Sequence, residues 1–226
     1  MVSAPPFRLE EQMVEPLLDA IPNVFPLSRG YRRCVLREPA IGSVIPDILM
    51  GTWTGDLPRF AGLNSVGRHI LASLACEPDA KDCSYVYEEL FVSRTAANAA
   101  ISHLVKLGAI RKHASGEIQV RSPFTANGDI HIASIEIKLR RWREALNQAI
   151  QYKQFSDQSW VVLDASQVSI NEEMVSSFKD AGIGLLLQCG WGVRIEIDAR
   201  NVHALPCTDR VFSIAKLSLA KPYCFA

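Results

Sequence analysis

The alternation of apolar and polar residues changes period within residues 132–152, from two to nearly four. In the first half, apolar and polar side chains alternate as in a strand with one buried face. The apolar positions are Ile135, Ile137 and Leu139, and the polar positions are Ser134, Glu136 and Lys138. In the second half, helical spacing produces an apolar stripe of Trp142, Ala145, Leu146, Ala149 and Ile150. The pattern predicts a half-buried strand followed by a helix that ends near Tyr152.

The patterns before this stretch predict a helix and two strands. Residues 8–20 have helical spacing, although Pro16 is awkward inside a helix. Residues 31–50 are typical of two strands, and glycine and proline interrupt the strand pattern over residues 51–59. We therefore expect the second strand to end near Met50.

The patterns after residue 152 predict an alternation of strands and helices. We expect a strand over 160–164, then a helix over 171–180 that ends at Gly182. Two further strands follow on either side of Gly190 to Gly192. The tail, with the sequence VFSIAKLSLAK, fits either a final strand or a short helix.

Residues 63–121 differ from the rest of the chain in the order of their predicted elements. Three helices are followed by a strand, a Ser-Gly turn and a second strand. The stretch SRTAANAAISHLVKLGAIRKHASGEIQV resembles the winged helix-turn-helix family. The resemblance implies that the helix from Ser93 to Leu107 is the recognition helix. Its inward residues would be Ala97, Ala100, Ile101 and Leu104. The residues facing DNA would be Arg94, Thr95, Asn98 and Ser102 on the helix, and Arg111 and Lys112 on the wing. A structural or protein-binding role for this module remains the alternative.

Removal of residues 60–122 leaves strands and helices that fit one α/β core. We therefore expect a mixed β-sheet flanked by helices, with the winged helix inserted between neighbouring strands. The predicted organisation is a first core part at 1–59, the inserted domain at 60–122 and a second core part at 123–226.

Composition excludes several classes of protein. The chain has 226 residues, of which 48% are hydrophobic and 21% charged, as in a globular protein. The formal net charge is zero, so binding to nucleic acid would depend on local patches such as the one around Arg140 and Arg141. The six cysteines form no CxxC pair, and the start of the chain lacks the apolar segment of a signal peptide. We expect reduced cysteines, no membrane association and a cytoplasmic location.

Three charged residues become candidates for chemistry once residues 60–122 are treated as an insertion. Asp47 lies in the apolar run VIPDILM, where a carboxylate needs a partner. Glu136 and Lys138 share one face of the next strand. Two carboxylates on adjacent strands can bind a hard divalent cation such as Mg²⁺. The alternative is structural, with a salt bridge between Glu136 and Lys138 and with Asp47 in a turn.

The chain resembles the PD-(D/E)xK nuclease superfamily, in its restriction-endonuclease-like, QxxxY-bearing branch. The matching motifs are Pro46-Asp47, Glu136-x-Lys138 and Gln148-x-x-x-Tyr152. The resemblance implies Mg²⁺ or Mn²⁺ as cofactor, with Asp47, Glu136 and the Ile137 carbonyl as ligands. It also implies a glutamate from the N-terminal helix, for which Glu15 is the first candidate and Glu11 the second. Lys138 would orient the attacking water, and Gln148 and Tyr152 would hold the substrate or Lys138.

The expected function is therefore a Mg²⁺-dependent nuclease that hydrolyses phosphodiester bonds, with DNA as the expected substrate and the winged helix assisting DNA binding. The alternative is a catalytically inactive protein of the same fold that regulates or assembles on DNA. A homodimer, or a protein partner bound through the winged helix, is compatible with either function.

Overall fold

A computed structural model of the chain describes residues 6–77, 79–124, 130–190 and 192–220. In chain order its elements are α1 (Glu11–Val24), β1 (Tyr31–Arg37), β2 (Ile48–Thr54), α2 (Ser65–Cys76), α3 (Cys83–Glu89), α4 (Arg94–Lys106), β3 (Ile110–Lys112), β4 (Ile118–Val120), β5 (Ile130–Lys138), α5 (Trp142–Tyr152), β6 (Gln158–Asp164), α6 (Glu172–Ala181), β7 (Gly184–Cys189), β8 (Gly192–Ile197) and α7 (Thr208–Leu219). None of the helices in these ranges is long and apolar enough to cross a membrane.

A mixed six-stranded sheet forms the centre of this part of the chain, with the strand order β1-β2-β5-β6-β7-β8. Strands β5, β6 and β7 are parallel, and each of the outer pairings is antiparallel. The fold is therefore α/β with helices on the sheet, as predicted.

Helix α1 covers one face of the sheet, where Met13, Leu17 and Ile21 pack against alternate residues of β2, β5 and β6. Helices α5 and α6 pack against the other residue set of β6 and β7. Helix α7 joins them on that second face, where Ile214 and Leu217 contact the core near β1 and β2. Both faces of the central strands are consequently buried.

Strand β5 differs from the predicted half-buried strand because both of its faces are covered. Glu136 and Lys138 are only 2% and 7% exposed. The sequence pattern correctly separates the two faces, but it carries no information about which helices will cover the polar one. The predicted apolar stripe on α5 also needs a correction, since Ile150 is 43% exposed.

Strand β2 continues through the residues at which we predicted its end. Thr52 and Trp53 still pair with both neighbouring strands. Gly51 does not break the strand but makes room for α7, because a Cβ atom there would lie 2.6 Å from Leu217 Cδ1. The absence of a side chain at Gly51 thus allows α7 to lie close to the sheet.

The structure settles two points that the sequence pattern left open, namely the extent of the first helix and the conformation of the tail. Helix α1 extends from Glu11 to Val24 with Pro16 inside it, further than the predicted 8–20. The tail forms helix α7, whose first turn is capped by Cys207, the Sγ of which accepts a hydrogen bond from Arg210 N. Helix α6 is confirmed, with Asn171 as N-cap and Gly182 in the left-handed conformation at its C-terminus.

The segment between β2 and β5 contains α2, α3, α4 and the antiparallel pair β3-β4, in the predicted order. The inward residues predicted for α4 are all buried. The described apolar residues of this segment, however, form one cluster with α7 and the sheet rather than a separate core. Phe60 N, for example, donates a hydrogen bond to Ser218 Oγ of α7.

Candidate active site at the carboxyl end of β5

Asp47, the residue directly before β2, lies beside Glu136 of the neighbouring strand β5. Strands β2 and β5 are antiparallel, and Ile48 pairs with Ile135. One further step of this register places Asp47 opposite Glu136. The Asp47 carboxylate is held by β5 itself, since its Oδ2 accepts a hydrogen bond of 2.6 Å from Ile137 N. The intervening segment therefore does not separate the two acids in space.

Glu136 is the centre of a buried hydrogen-bond network. Its Oε1 accepts a hydrogen bond of 2.5 Å from Lys138 Nζ. Its Oε2 accepts one of 2.7 Å from the Tyr152 hydroxyl on α5. Lys138 Nζ also donates to the Ile137 carbonyl oxygen at 3.3 Å. Four of the predicted residues are thus joined by direct contacts.

Burial and charge set the ionisation of these groups. Burial, with further repulsion from Glu136, raises the pKa of Asp47 to about 6. For Lys138, burial acts to lower the pKa, but the hydrogen bond that Lys138 donates to Glu136 and the attraction of nearby carboxylates outweigh it, so the pKa is raised. Burial and the bond to Glu136 also raise the pKa of Tyr152. At neutral pH the site holds a charged lysine, a neutral tyrosine and a carboxylate that protonates unusually easily.

The acid that α1 contributes differs from the prediction. Glu15 is exposed and forms an ion pair of 2.5 Å with Arg37, and Glu11 is also exposed. Glu10, at the start of α1, instead reaches the end of β5. Its Oε1 accepts a hydrogen bond of 3.4 Å from Leu139 N, and its Oε2 lies 3.8 Å from Lys138 Nζ.

Sequence reasoning missed Glu10 because it placed the start of the helix too early. In a helix over residues 8–20, the pattern gives no reason to prefer Glu10 over Glu15 and Glu11, the two candidates named from the resemblance. Its position depends on a distant contact: Phe7 N donates a hydrogen bond to Asp164 Oδ2 at the end of β6. That contact holds the start of α1 at the carboxyl ends of the parallel strands, where α/β proteins commonly bind ligands.

Gln148 lies one turn before Tyr152 on α5 and is half-buried. Among the contacts of the described residues, its Oε1 has no hydrogen-bond partner. Gln148 Oε1 therefore accepts no hydrogen bond from Lys138, one of its two predicted tasks, while its predicted contact with substrate stays a prediction. Tyr152 reaches the acidic centre.

The oxygen atoms at the site suit a hard cation. Asp47, Glu136 and the Ile137 carbonyl bring two carboxylates and one carbonyl oxygen together, and Mg²⁺ commonly binds through one or two carboxylates and several waters. Within the described ranges, no group of three His, Cys, Asp or Glu side chains is arranged to hold a metal ion. Two of the three oxygen groups already accept hydrogen bonds from Lys138. The site therefore fits a cation that binds few protein ligands. Such a cation would take the place of Lys138 Nζ at the Glu136 carboxylate and the Ile137 carbonyl oxygen.

The residues predicted to face DNA all lie on the protein surface. On the segment between β2 and β5 they are Arg94, Thr95, Asn98, Ser102, Arg111 and Lys112. Two of them contact Tyr87 of α3: the Arg94 guanidinium lies 5.6 Å from its ring centroid, and Asn98 Oδ1 accepts a hydrogen bond of 2.7 Å from its hydroxyl.

Two further predicted DNA-binding residues, Arg140 and Arg141, are exposed just after β5. Arg141 forms an ion pair of 2.8 Å with Glu144 and lies 3.9 Å from Glu10. Part of the basic edge beside the site is therefore neutralised within the protein.

No protein-family model and no curated protein matches the chain. Among solved structures, the chain is similar to a protein of unknown function from Silicibacter pomeroyi, with 22% identity and a TM-score of 0.30 over 39% of this chain. The match spans 56% of that protein, little more than half its length. The chain is also similar to SfsA of Pyrococcus furiosus, determined in complex with Ca²⁺, with 9% identity and a TM-score of 0.17 over 76% of this chain and 96% of that one. Likenesses this weak identify no family, so the resemblance to PD-(D/E)xK nucleases stays a prediction.

Proposed function

We propose that the protein is a Mg²⁺- or Mn²⁺-dependent nuclease whose site is built by Asp47, Glu136 and Lys138. The observation that carries this proposal is the position of Asp47, directly before β2, beside Glu136 of the neighbouring strand β5. Like charges directly opposite one another destabilise a sheet. Glu136 is buried and Asp47 half-buried, and such a pair is reasonable where a cation balances the two charges, which is the role of a metal-binding site.

Each residue has a distinct task in this proposal. Asp47, Glu136 and the Ile137 carbonyl hold the cation, and Glu10 provides a further negative group beside them. The cation lowers the pKa of bound water and stabilises negative charge on the phosphate. Lys138, freed from part of its bond to Glu136, orients the attacking water or neutralises phosphate oxygens. Tyr152 fixes the direction of the Glu136 carboxylate.

DNA is the proposed substrate, and the segment with α4 and the β3-β4 pair is proposed to bind it as a winged helix. In support, the element order is that of a winged helix, and the exposed residues of α4 include Arg94, Thr95, Asn98 and Ser102. Basic side chains attract the phosphate backbone regardless of sequence. The segment would therefore hold DNA while the carboxylate site cuts it.

The first experiment separates cleavage from metal binding. Plasmid and linear DNA are incubated with Mg²⁺ or Mn²⁺, and Mn²⁺ binding is measured by calorimetry. We expect Asp47→Asn and Lys138→Ala to lower the cleavage rate about 100-fold or more. We expect Asp47→Asn to weaken Mn²⁺ binding, while Lys138→Ala binds Mn²⁺ at least as tightly, because the competing ammonium is gone.

The N-terminal helix supplies a matched pair of control variants. Glu10→Gln should reduce cleavage, whereas Glu15→Gln, whose carboxylate pairs with the exposed Arg37, should leave it unchanged. Thermal unfolding of each variant confirms that it is folded. Equal cleavage by wild type, Asp47→Asn and Lys138→Ala would exclude this site, and so would the absence of both cleavage and Mn²⁺ binding in the wild type.

A second function is favoured by one observation. Both oxygens of Glu136 are already satisfied, by Lys138 and by Tyr152, so the network is complete without a metal. A protein of this kind would bind DNA without cleaving it and would serve as a regulator or assembly factor. Metal-independent DNA binding, combined with no heat of Mn²⁺ binding, would establish this second function over the first.

A further inference from the structure

Arg33 on β1 is a buried cation that has no counter-charge among the described residues. The residue is 2% exposed. Among the described residues its guanidinium donates one hydrogen bond, from Nη2 to the carbonyl oxygen of Phe25, and no carboxylate lies within 4 Å of it. Its Nε is buried and has no partner in the described ranges. Burial lowers the pKa of Arg33, which reflects the high cost of an uncompensated charge inside a protein.

A cavity of about 340 Å³ lies beside Arg33, between the end of α1 and the sheet. Its polar lining includes Thr52, His131 and Gln158. Trp160 lines it as well, and the indole Nε1 of this 3% exposed residue is a second buried donor without a partner in the described chain. A buried arginine without a carboxylate partner among the described residues, in the lining of a cavity of the size of a small-molecule site, indicates a ligand with an anionic group.

The other residues that line the cavity indicate the chemistry of the rest of the ligand. Phe25 packs edge-on against Trp160 with ring centroids 5.1 Å apart, and Met50 lies beside them. Burial lowers the pKa of His131, so this residue is neutral at pH 7 and adds no charge. The acid in the lining is the exposed Asp198 at the rim. A flat apolar group would occupy the aromatic part, and an anionic group would face Arg33.

This cavity is separate from the carboxylate site. Thr52 pairs with His131, five residues along β5 from Glu136, which corresponds to about 17 Å at ~3.4 Å per residue. Residues five apart on a strand also point to opposite faces, so the cavity opens on the α1 face of the sheet. A ligand here is therefore not the substrate of the first site.

We propose that this cavity binds a small organic anion, a carboxylate or phosphate monoester carried on a flat apolar body, with Arg33 as its counter-charge. The guanidinium fork suits both kinds of anionic group. The ligand supplies the negative charge that none of the described residues places beside Arg33.

The test uses benzoate, phenyl phosphate and inorganic phosphate as probes, with neutral benzamide as the matched control. Binding to the 226-residue chain is measured by calorimetry and by the change in Tm. We expect benzoate or phenyl phosphate to bind saturably and to raise Tm by about 3 °C at ten times its Kd. Benzamide should do neither, and inorganic phosphate should bind more weakly than phenyl phosphate. The stronger of the two aromatic anions identifies the anionic group.

Two arginine variants make the test specific. Arg33→Met should fold without the probe and lose at least tenfold in affinity. Arg32→Met is the control, because Arg32 is the neighbouring residue on the same strand and pairs with Asp56 at 2.8 Å on the protein surface. If Arg33→Met does not fold, Gln158→Leu serves in its place and should weaken binding at least threefold. Absence of binding by both aromatic anions, or equal affinity in wild type and the cavity variant, would overturn the proposal.

Discussion

Asp47 and Glu136 show how two side chains far apart in sequence acquire unusual chemistry through position alone. Each is an ordinary carboxylate in the unfolded chain. In the fold, burial and mutual repulsion raise the pKa of Asp47 to about 6, while Glu136 is stabilised by two donors. The electrostatic cost of bringing the two carboxylates together therefore appears in the raised pKa of Asp47, and shifted pKa values are common at functional sites.

The raised pKa of Asp47 predicts how stability changes with pH. Folding favours the protonated carboxyl, so this group lowers stability as pH rises from about 4 to 6, and the full cost remains above pH 6. Asp47→Asn removes the charge and should stabilise the protein by about 1–3 kcal/mol at pH 8, with little difference at pH 4. Urea unfolding across this pH range measures the effect.

A surface carboxylate provides the control for this measurement. Glu15→Gln should change the free energy of unfolding by less than about 0.5 kcal/mol. A decrease in stability for Asp47→Asn at pH 8 would show that the Asp47 charge is balanced in the folded protein and would contradict the expected cost.

At the scale of elements, the contact between β2 and α7 explains how the central strands become covered on both faces. Helix α7 packs against β2 at Gly51, where a side chain would meet Leu217. The tail thereby closes the second face of the sheet beside α5. Helix α7 thereby buries the part of the core beside the end of β2, where the segment between β2 and β5 begins.

This contact predicts the effect of a single methyl group. Gly51→Ala would place its Cβ 2.6 Å from Leu217 Cδ1, so we expect overpacking to destabilise the protein by about 1–3 kcal/mol. Gly192→Ala is the control, because the nearest atom to its Cβ would be 3.4 Å away. Urea unfolding should show that the double variant Gly51→Ala/Leu217→Ala loses less stability than the two single variants together. Additive losses would exclude the steric explanation.

At the scale of the whole molecule, the net charge of zero requires that any binding of DNA be local. The exposed polar face of α4 is the candidate surface. We expect the double variant Arg94→Ala/Asn98→Ala to weaken DNA binding at least tenfold and to reduce the salt dependence by about one released ion. Fluorescence anisotropy with a short duplex at several salt concentrations measures both effects.

A lysine on the opposite side of the fold serves as the control for DNA binding. Lys179→Ala, on the exposed side of α6, should leave the affinity unchanged. If the α4 variant and the Lys179 variant bind DNA alike, the segment between β2 and β5 is not the DNA-binding surface.

The order of elements and the alternation on β5 follow from local patterns, because side-chain periodicity is a property of each segment. The pattern therefore correctly predicted the helix ending at Gly182 and the shared face of Glu136 and Lys138. The burial of both faces of β5, the continuation of β2 past Gly51 and the approach of Glu10 to Lys138 depend on contacts between distant segments. Such contacts have no local signal, since they arise only when α1 and α7 pack onto the finished sheet. For the same reason the burial of Arg33, away from any carboxylate in the described part of the chain, becomes visible only in the folded protein.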